Sequence, residues 1–221
     1  MEITKEQNAL LEKHLDLVLF KNQQLNLTAI KDKDEAMVLH LEDSLAGLEE
    51  LNSIEGEFVD MGSGAGFPGI PLSIVSGKKA TLVETVGKKA DCLKSFINEL
   101  NLEAQVSVSN KRIEELAVER PNSYGAATVR ALSSLQSLLE LASPLLVING
   151  LLICYKGNNV EEELNAALNI TEKLGFEFVI NRKYVLSDGT EHRIIVFRKV
   201  KEPEVKLPRK LGFAQKKPFT N

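Results

Sequence analysis

The chain has 221 residues and only two cysteines, Cys92 and Cys154. Two thiols make neither a disulfide framework nor a cysteine metal quartet, and they suit a reducing cytosol. Long apolar runs are also lacking. None approaches the roughly 20 residues needed to cross a bilayer, and mean hydropathy is -0.08. The opening stretch MEITKEQ carries acid and no apolar core, so no secretory signal is expected. Low-complexity tracts are absent, and 43% apolar with 26% charged residues fill one sizeable core. The composition therefore predicts a soluble, cytoplasmic protein with no membrane partner. Histidine is scarce: His14, His40 and His192 lie in unrelated segments, and no His–Asp pair or cysteine nucleophile stands out. No metal site is expected.

Positive charge is in short supply too, with a net charge of -4 that argues at first sight against a nucleic-acid partner. Its distribution says otherwise. From Arg198 onward there are eight Lys or Arg against Glu202 and Glu204, a local charge of +6 on a body of -10. A basic tail on an acidic body is a pattern of chains that touch phosphate backbones.

Local patterns divide the chain. Thr4 followed by Gln7 makes a capping box, and Leu10, Leu11, Leu15, Val18 and Leu19 recur at helical spacing as far as Leu25. A second amphipathic helix is predicted from Asp34 to Leu51, with Met37, Leu41, Leu45 and Leu48 on one face. Short apolar runs then alternate with helical stretches, as a parallel sheet built from βαβ units requires. Strands are expected at Glu57–Met61, Ala80–Glu84, Gln105–Ser109, Ala126–Val129, Gly150–Lys156, Glu177–Tyr184 and Arg193–Arg198. Helices are expected at Ile70–Ser76, Lys88–Leu100, Ile113–Leu116, Leu135–Val147 and Val160–Leu174, the last closed by Gly175. The last two strands are joined through Leu186-Ser187-Asp188-Gly189-Thr190 with no helix, so they should form a hairpin. The expected fold is α/β: a doubly wound, mostly parallel seven-stranded sheet with an antiparallel last strand. Three parts follow, an N-terminal helical cap at 1–54, a core at 55–200 and a loose basic tail at 201–221.

The sharpest local feature is Asp60-Met61-Gly62-Ser63-Gly64-Ala65-Gly66-Phe67-Pro68-Gly69-Ile70-Pro71. Four glycines in eight residues, between a strand and a helix, let the backbone turn tightly and approach a ligand without Cβ obstruction. Glu84 ends the next strand 22 residues after Gly62, where a carboxylate can accept from ribose hydroxyls. Glycine loop and acid together point to a nucleoside-bearing cofactor. A dinucleotide wants free N–H donors at the helix N-terminus, and Pro68 and Pro71 remove two of them. S-adenosylmethionine (SAM) has no phosphate and loses nothing. A SAM-dependent methyltransferase is thus favoured over a nicotinamide-dependent oxidoreductase; a non-catalytic RNA-binding module of the same fold is the third possibility.

The ordered series Asn26-Leu27-Thr28, His40-Leu41-Glu42-Asp43-Ser44-Leu45, the glycine loop with its Phe-Pro-Gly-Ile-Pro continuation, Lys88-Lys89, Arg112-Ile113-Glu114, Val129-Arg130-Ala131, Lys156-Gly157 and Leu207-Pro208-Arg209-Lys210 resembles the bacterial 16S ribosomal RNA guanine-N7 methyltransferases, the glucose-inhibited division protein B family. The departures are slight: Met61 and Val129 replace residues more usual in the family. The resemblance implies transfer of a methyl group from SAM to a guanine N7 of small-subunit rRNA. It implies cofactor contacts by Gly62, Phe67, Ile113, Glu114 and Arg130, with Glu84 near the ribose; the glycine loop itself adds Gly64. Arg130, Lys156 and Arg193 are the expected RNA-facing groups, with the tail cations on phosphates. The substrate is expected as free rRNA, the small subunit or its assembly intermediate, and the protein as a monomer.

Overall fold

The computed structural model describes residues 3–220. Helix α1 (Lys5–Leu25) opens on the Thr4/Gln7 capping box, both halves of which are formed. The expected second helix is broken into α2 (Lys33–Ala36), a π-helical stretch (Met37–Glu42), α3 (Asp43–Leu45) and α4 (Leu48–Asn52). The wider π turn carries His40 inward, and Asp43 and Ser44 just after it are buried as well. Hydrophobic spacing alone describes a regular helix, so this polar inward face was invisible to it.

Seven strands follow in the predicted order: β1 (Phe58–Met61), β2 (Ala80–Val83), β3 (Val106–Ser109), β4 (Tyr124–Arg130), β5 (Leu146–Gly157), β6 (Phe176–Val185) and β7 (Glu191–Lys199). They form one sheet in the order β3-β2-β1-β4-β5-β7-β6. The first five strands run parallel, while β7 lies antiparallel between β5 and β6. Helices α5 (Gly69–Ser76), α6 (Gly87–Glu99), α7 (Ile113–Glu119), α8 (Leu135–Ala142) and α9 (Glu161–Leu168) flank it. Helix α8 ends earlier than the expected Val147, because Pro144 follows it and Leu146 begins β5. The stretch expected as one helix to Leu174 is α9 followed by a 3₁₀ turn at Glu172–Leu174, closed by Gly175 in the left-handed conformation.

Alternation along the strands builds two cores. Phe58, Leu82, Ala126, Ile153 and Val196 face one side with α1, α5 and α6, while Val59, Val83, Ala127, Leu152 and Phe197 face the other with α7, α8 and α9. With apolar layers on both faces, the central strands read as continuous hydrophobic runs, which is why the sequence revealed them. Close packing also constrains the glycine loop: a Cβ on Gly69 would lie 2.4 Å from Leu82 Cδ2 and 2.7 Å from Asp60 Oδ2.

The tail is not loose. Arg209 reaches Glu140 with Nε at 2.7 Å and Nη2 at 2.5 Å, its guanidinium lies 4.0 Å from the Phe219 ring centroid, and α10 (Phe213–Lys216) buries Ala214. Lys199 is fully buried and donates to Asn122, the Leu146 carbonyl and Glu202. Charge counting offered these cations to phosphates, since it cannot see the buried Glu140 that pairs with one of them.

The N-terminal helices are tied to the sheet by Tyr155 of β5, whose hydroxyl donates to the Ser44 carbonyl at 2.6 Å and accepts from the Gly47 N–H at 3.2 Å. Tyr155→Phe strands two buried backbone groups and should cost about 1–3 kcal/mol. Urea unfolding should show a lower midpoint with an unchanged slope; an unaltered midpoint would mean that the tie carries no stability.

Candidate active site

A cavity of about 400 Å³ opens at the carboxyl ends of β1, β2 and β4. All seven residues singled out as cofactor contacts line it: Gly62, Gly64, Phe67, Glu84, Ile113, Glu114 and Arg130. Ligands bind at this edge of doubly wound sheets because strand ends and loops leave a crevice where the winding reverses. Here β1 lies between β2 and β4, so the loops after β1 and β4 leave on either side of that reversal.

The glycine loop is closed on itself. The N–H groups of Gly62 and Ser63 both donate to the Val83 carbonyl, that of Gly66 to the Ser63 carbonyl, and that of Gly64 to Glu84 Oε2 at 3.1 Å. Four amides spent on protein acceptors leave a poor cradle for a pyrophosphate. This is the geometry of a loop that presents shape rather than anion-binding donors. A Cβ on Gly64 would meet nothing within 4 Å, so the loop leaves open space for a ligand there. Glu84 is 8% exposed and its Oε1 accepts from the Val86 N–H at 2.8 Å. Each oxygen keeps a second lone pair, the acceptors that vicinal ribose hydroxyls require.

Phe67 packs against two imidazoles. His40 stacks on it at 4.6 Å with planes 14° apart, and His14 sits at 4.6 Å with planes 39° apart. Burial pushes His14 down to about 3, and burial with the neighbouring Arg130 pushes His40 down to about 4. Both rings are therefore uncharged near neutral pH. Arg130 can only donate, so His40 Nδ1 is the acceptor of its Nη2 at 3.4 Å, and Nε2–H donates to Thr28 Oγ1 at 2.9 Å. Leu27 and Thr28 thereby join the cavity wall.

A second cavity of about 650 Å³ adjoins the first, and His40, Arg130 and Ala131 border both. Ala131 adopts φ 54°, the left-handed region, at the turn between them. Lys156 lines the second cavity; Arg193 lines neither. None of the three expected RNA-facing cations is free. Arg130 is paired with Asp43 at 2.6 Å, Lys156 with Glu163 at 2.7 Å and Arg193 with Glu161 at 3.2 Å. In the tail, Arg198, Lys199, Lys201 and Arg209 are paired, leaving Lys206, Lys210, Lys216 and Lys217 exposed without a carboxylate among the described residues.

Two expectations change. Glu114 reaches the cavity, but its Oε1 accepts from the Gly212 N–H at 2.7 Å, so it also fastens the tail. A His–Asp pair does exist: His192 Nδ1 lies 2.8 Å from Asp43 Oδ1 across a separation of 149 residues. Antiparallel insertion makes it possible, since the first residues of β7 lie opposite the last of β5, with His192 beside Gly157. Leu132, Gln215 and Lys89 also line the first cavity, and Asn110 supports it by donating to the Glu84 carbonyl at 2.7 Å. Lys89 belongs to a motif already noted and Leu132 directly follows one, while Gln215 and Asn110 left no sequence signal. Among the described residues no cluster of His, Cys, Asp or Glu suits a metal ion, and no helix is long and apolar enough to cross a membrane.

The strand order, the inserted antiparallel β7 and the cavity at the strand ends define a class I SAM-dependent methyltransferase fold. Solved structures agree on it: an O-methyltransferase from Bacillus cereus in complex with SAH superposes with TM-score 0.58 at 17% identity, covering 84% of this chain and 90% of that one. A SAM-dependent O-methyltransferase from Thermotoga maritima gives TM-score 0.58 at 15% identity, covering 85% and 73%. The family follows from sequence. Residues 7–191 match the model of GidB, rRNA small subunit methyltransferase G, and the chain belongs to that family. It is 38% identical to the ribosomal RNA small subunit methyltransferase G of Alkaliphilus metalliredigens, over 92% of this chain and 87% of that one. It is 36% identical to the protein of that name from Carboxydothermus hydrogenoformans, over 99% and 94%.

His14 and His40 bind fewer protons folded than unfolded between their depressed values and the ordinary 6.5. Their contribution is complete above pH 6.5 and is lost as pH falls. His14→Gln keeps a donor for the Ala65 carbonyl, which His14 Nε2 meets at 3.0 Å. Its stability should fall less steeply below pH 6.5 than that of the wild type, by up to about 1.4 kcal/mol per pH unit. Urea titrations at stepped pH check this, and identical slopes would contradict a neutral His14.

Proposed function

We propose that this protein methylates N7 of a guanine in 16S ribosomal RNA, with SAM in the first cavity and the guanine entering through the second. The observation that carries the reading is the convergence of the glycine loop, Glu84, Ile113 and Arg130 on one strand-end cavity, in a chain of the rRNA small subunit methyltransferase G family. Glu84 would take the ribose hydroxyls, Gly62 and Gly64 would let the cofactor approach the backbone, and Phe67 and Ile113 would supply apolar walls. When bound, SAM supplies an electrophilic methyl group.

The chain's own task is alignment and exclusion of water. Guanine N7 carries an in-plane lone pair and no proton, so no side chain must remove one before transfer. Arg130 stands where the cavities meet and is immobilised by the Leu39 carbonyl at 3.1 Å and Asp43 at 2.6 Å. Such fixed groups hold a reacting atom in line, the effect that makes proximity worth several kcal/mol. His40 and Phe67, stacked and uncharged, keep the adjoining wall apolar. Lys206, Lys210, Lys216 and Lys217 would meet phosphates; the last two follow Gln215, which lines the first cavity. Arg130, Lys156 and Arg193 would contact RNA only by exchanging their carboxylate partners.

We further propose that the substrate is free small-subunit rRNA, the subunit or an assembly intermediate, met in the cytoplasm by a monomer. The division into a cap at 1–54, a core at 55–200 and a tail at 201–221 is part of this reading, with the tail docked.

Purified protein with labelled SAM should modify small-subunit rRNA or the subunit at one guanine, located by mass mapping; no transfer to either would refute the reading. Glu84→Ala should weaken SAM binding about tenfold or more by removing charge-strengthened acceptors. Calorimetry on a folded variant checks this, and an unchanged Kd would remove Glu84 from the site.

A further inference from the structure

We infer that His192 reads the base: its Nε2 accepts a hydrogen bond from N1–H of the guanine whose N7 is turned toward the first cavity. This rests on the function proposed above and adds a specificity-determining residue to it.

The second cavity is rich in donors and poor in free acceptors. Arg130 and Lys156, both on its wall, carry donors only. Asp43 is 3% exposed along its side chain, and its carboxylate already accepts from Arg130 Nη1 at 2.6 Å, Tyr184 Oη at 2.6 Å and His192 Nδ1 at 2.8 Å. The Tyr155 hydroxyl is committed to the backbone at Ser44 and Gly47. His192 is different. Its side chain is 28% exposed and lines the cavity. A carboxylate can only accept, so Nδ1 carries a proton, and in the neutral ring that leaves the lone pair on Nε2. Nε2 has no hydrogen-bond partner among the described residues.

The ring is also held still. Asp43 is itself fixed by two other donors, and the Tyr184 ring stands edge-on to His192 at 5.9 Å between centroids. A pre-oriented acceptor is what discrimination between purines requires. Guanine presents N1–H on its Watson–Crick edge, next to the edge bearing N7. Adenine presents a lone pair at N1, which would oppose that of Nε2 and leave both unpaired, a larger penalty than loss of a contact alone. The Thr190 hydroxyl on the same wall can donate or accept, so it cannot tell the two apart.

The test uses small-subunit rRNA carrying a single guanine, inosine, 2-aminopurine or adenine at the modified position, all of which keep N7. Wild-type protein should methylate guanine and inosine, which share N1–H, with similar kcat/KM, and 2-aminopurine and adenine, which lack it, about tenfold or more less well. His192→Ala should lose about tenfold or more on guanine while its guanine-to-adenine ratio falls by a similar factor and its SAM Kd stays within about twofold. Efficient transfer to 2-aminopurine, or an unchanged ratio in His192→Ala, would overturn the inference. Absence of transfer by the wild type to guanine would instead refute the proposed function.

Discussion

The carboxylate of Asp43 is buried and shared by three donors from three strands: Arg130 at the end of β4, Tyr184 near the end of β6 and His192 at the start of β7. It sits just after the π-helical stretch of the N-terminal cap, so one side chain fixes the cap against the sheet and orients the cation between the two cavities. Burial of such a charge is tolerable only because its lone pairs are filled, and removal of one partner from a buried pair typically costs about 3–5 kcal/mol. The cap is therefore a wall of the site rather than an appendage to it. His40, inside the π turn, stacks on Phe67, and Asp43, just after it, pairs with Arg130.

The glycine loop follows a different logic. Its amides satisfy Val83, Ser63 and Glu84, so the loop is rigid before any ligand arrives. Rigidity reduces the ordering cost of binding, and the use of the amides removes the anion cradle that a dinucleotide needs. Charge is treated in the same way. The acidic body and basic tail neutralise one another through Arg209 with Glu140 and Arg198 with Glu177, while Lys199 and Lys201 pair with Glu202 and Glu204 inside the tail. What remains for a polyanion is a small set of exposed lysines rather than the full +6 of the tail.

The strands, their order and the terminal hairpin were legible because a two-sided sheet demands short unbroken apolar runs, and the loop because glycine and proline have few substitutes where φ is positive or the backbone packs closely. Glu84 and Arg130 were read from their place at strand ends and Ile113 from the family resemblance, and all three line the first cavity. The docking of the tail and the pairing of Arg130 with Asp43 were not legible, since an ion pair between residues far apart in the chain leaves no local trace; Lys156 meets Glu163 only seven residues on, but across the turn from β5 to α9, where no helical or strand spacing marks the pair. His192 is the clearest case: three histidines in unrelated segments looked idle until an antiparallel strand set one of them against Asp43.

The sequence by itself determined the fold class, the family and the residues that line the first cavity, because those depend on periodicity, turn residues and a contiguous motif. Only the tertiary structure decided which charges are free, which histidines are neutral and which acceptor faces the second cavity. Those properties arise from desolvation and from partners such as Asp43 with Arg130 and His192, brought together across 87 and 149 residues, and no local window along the chain contains both members of such a pair.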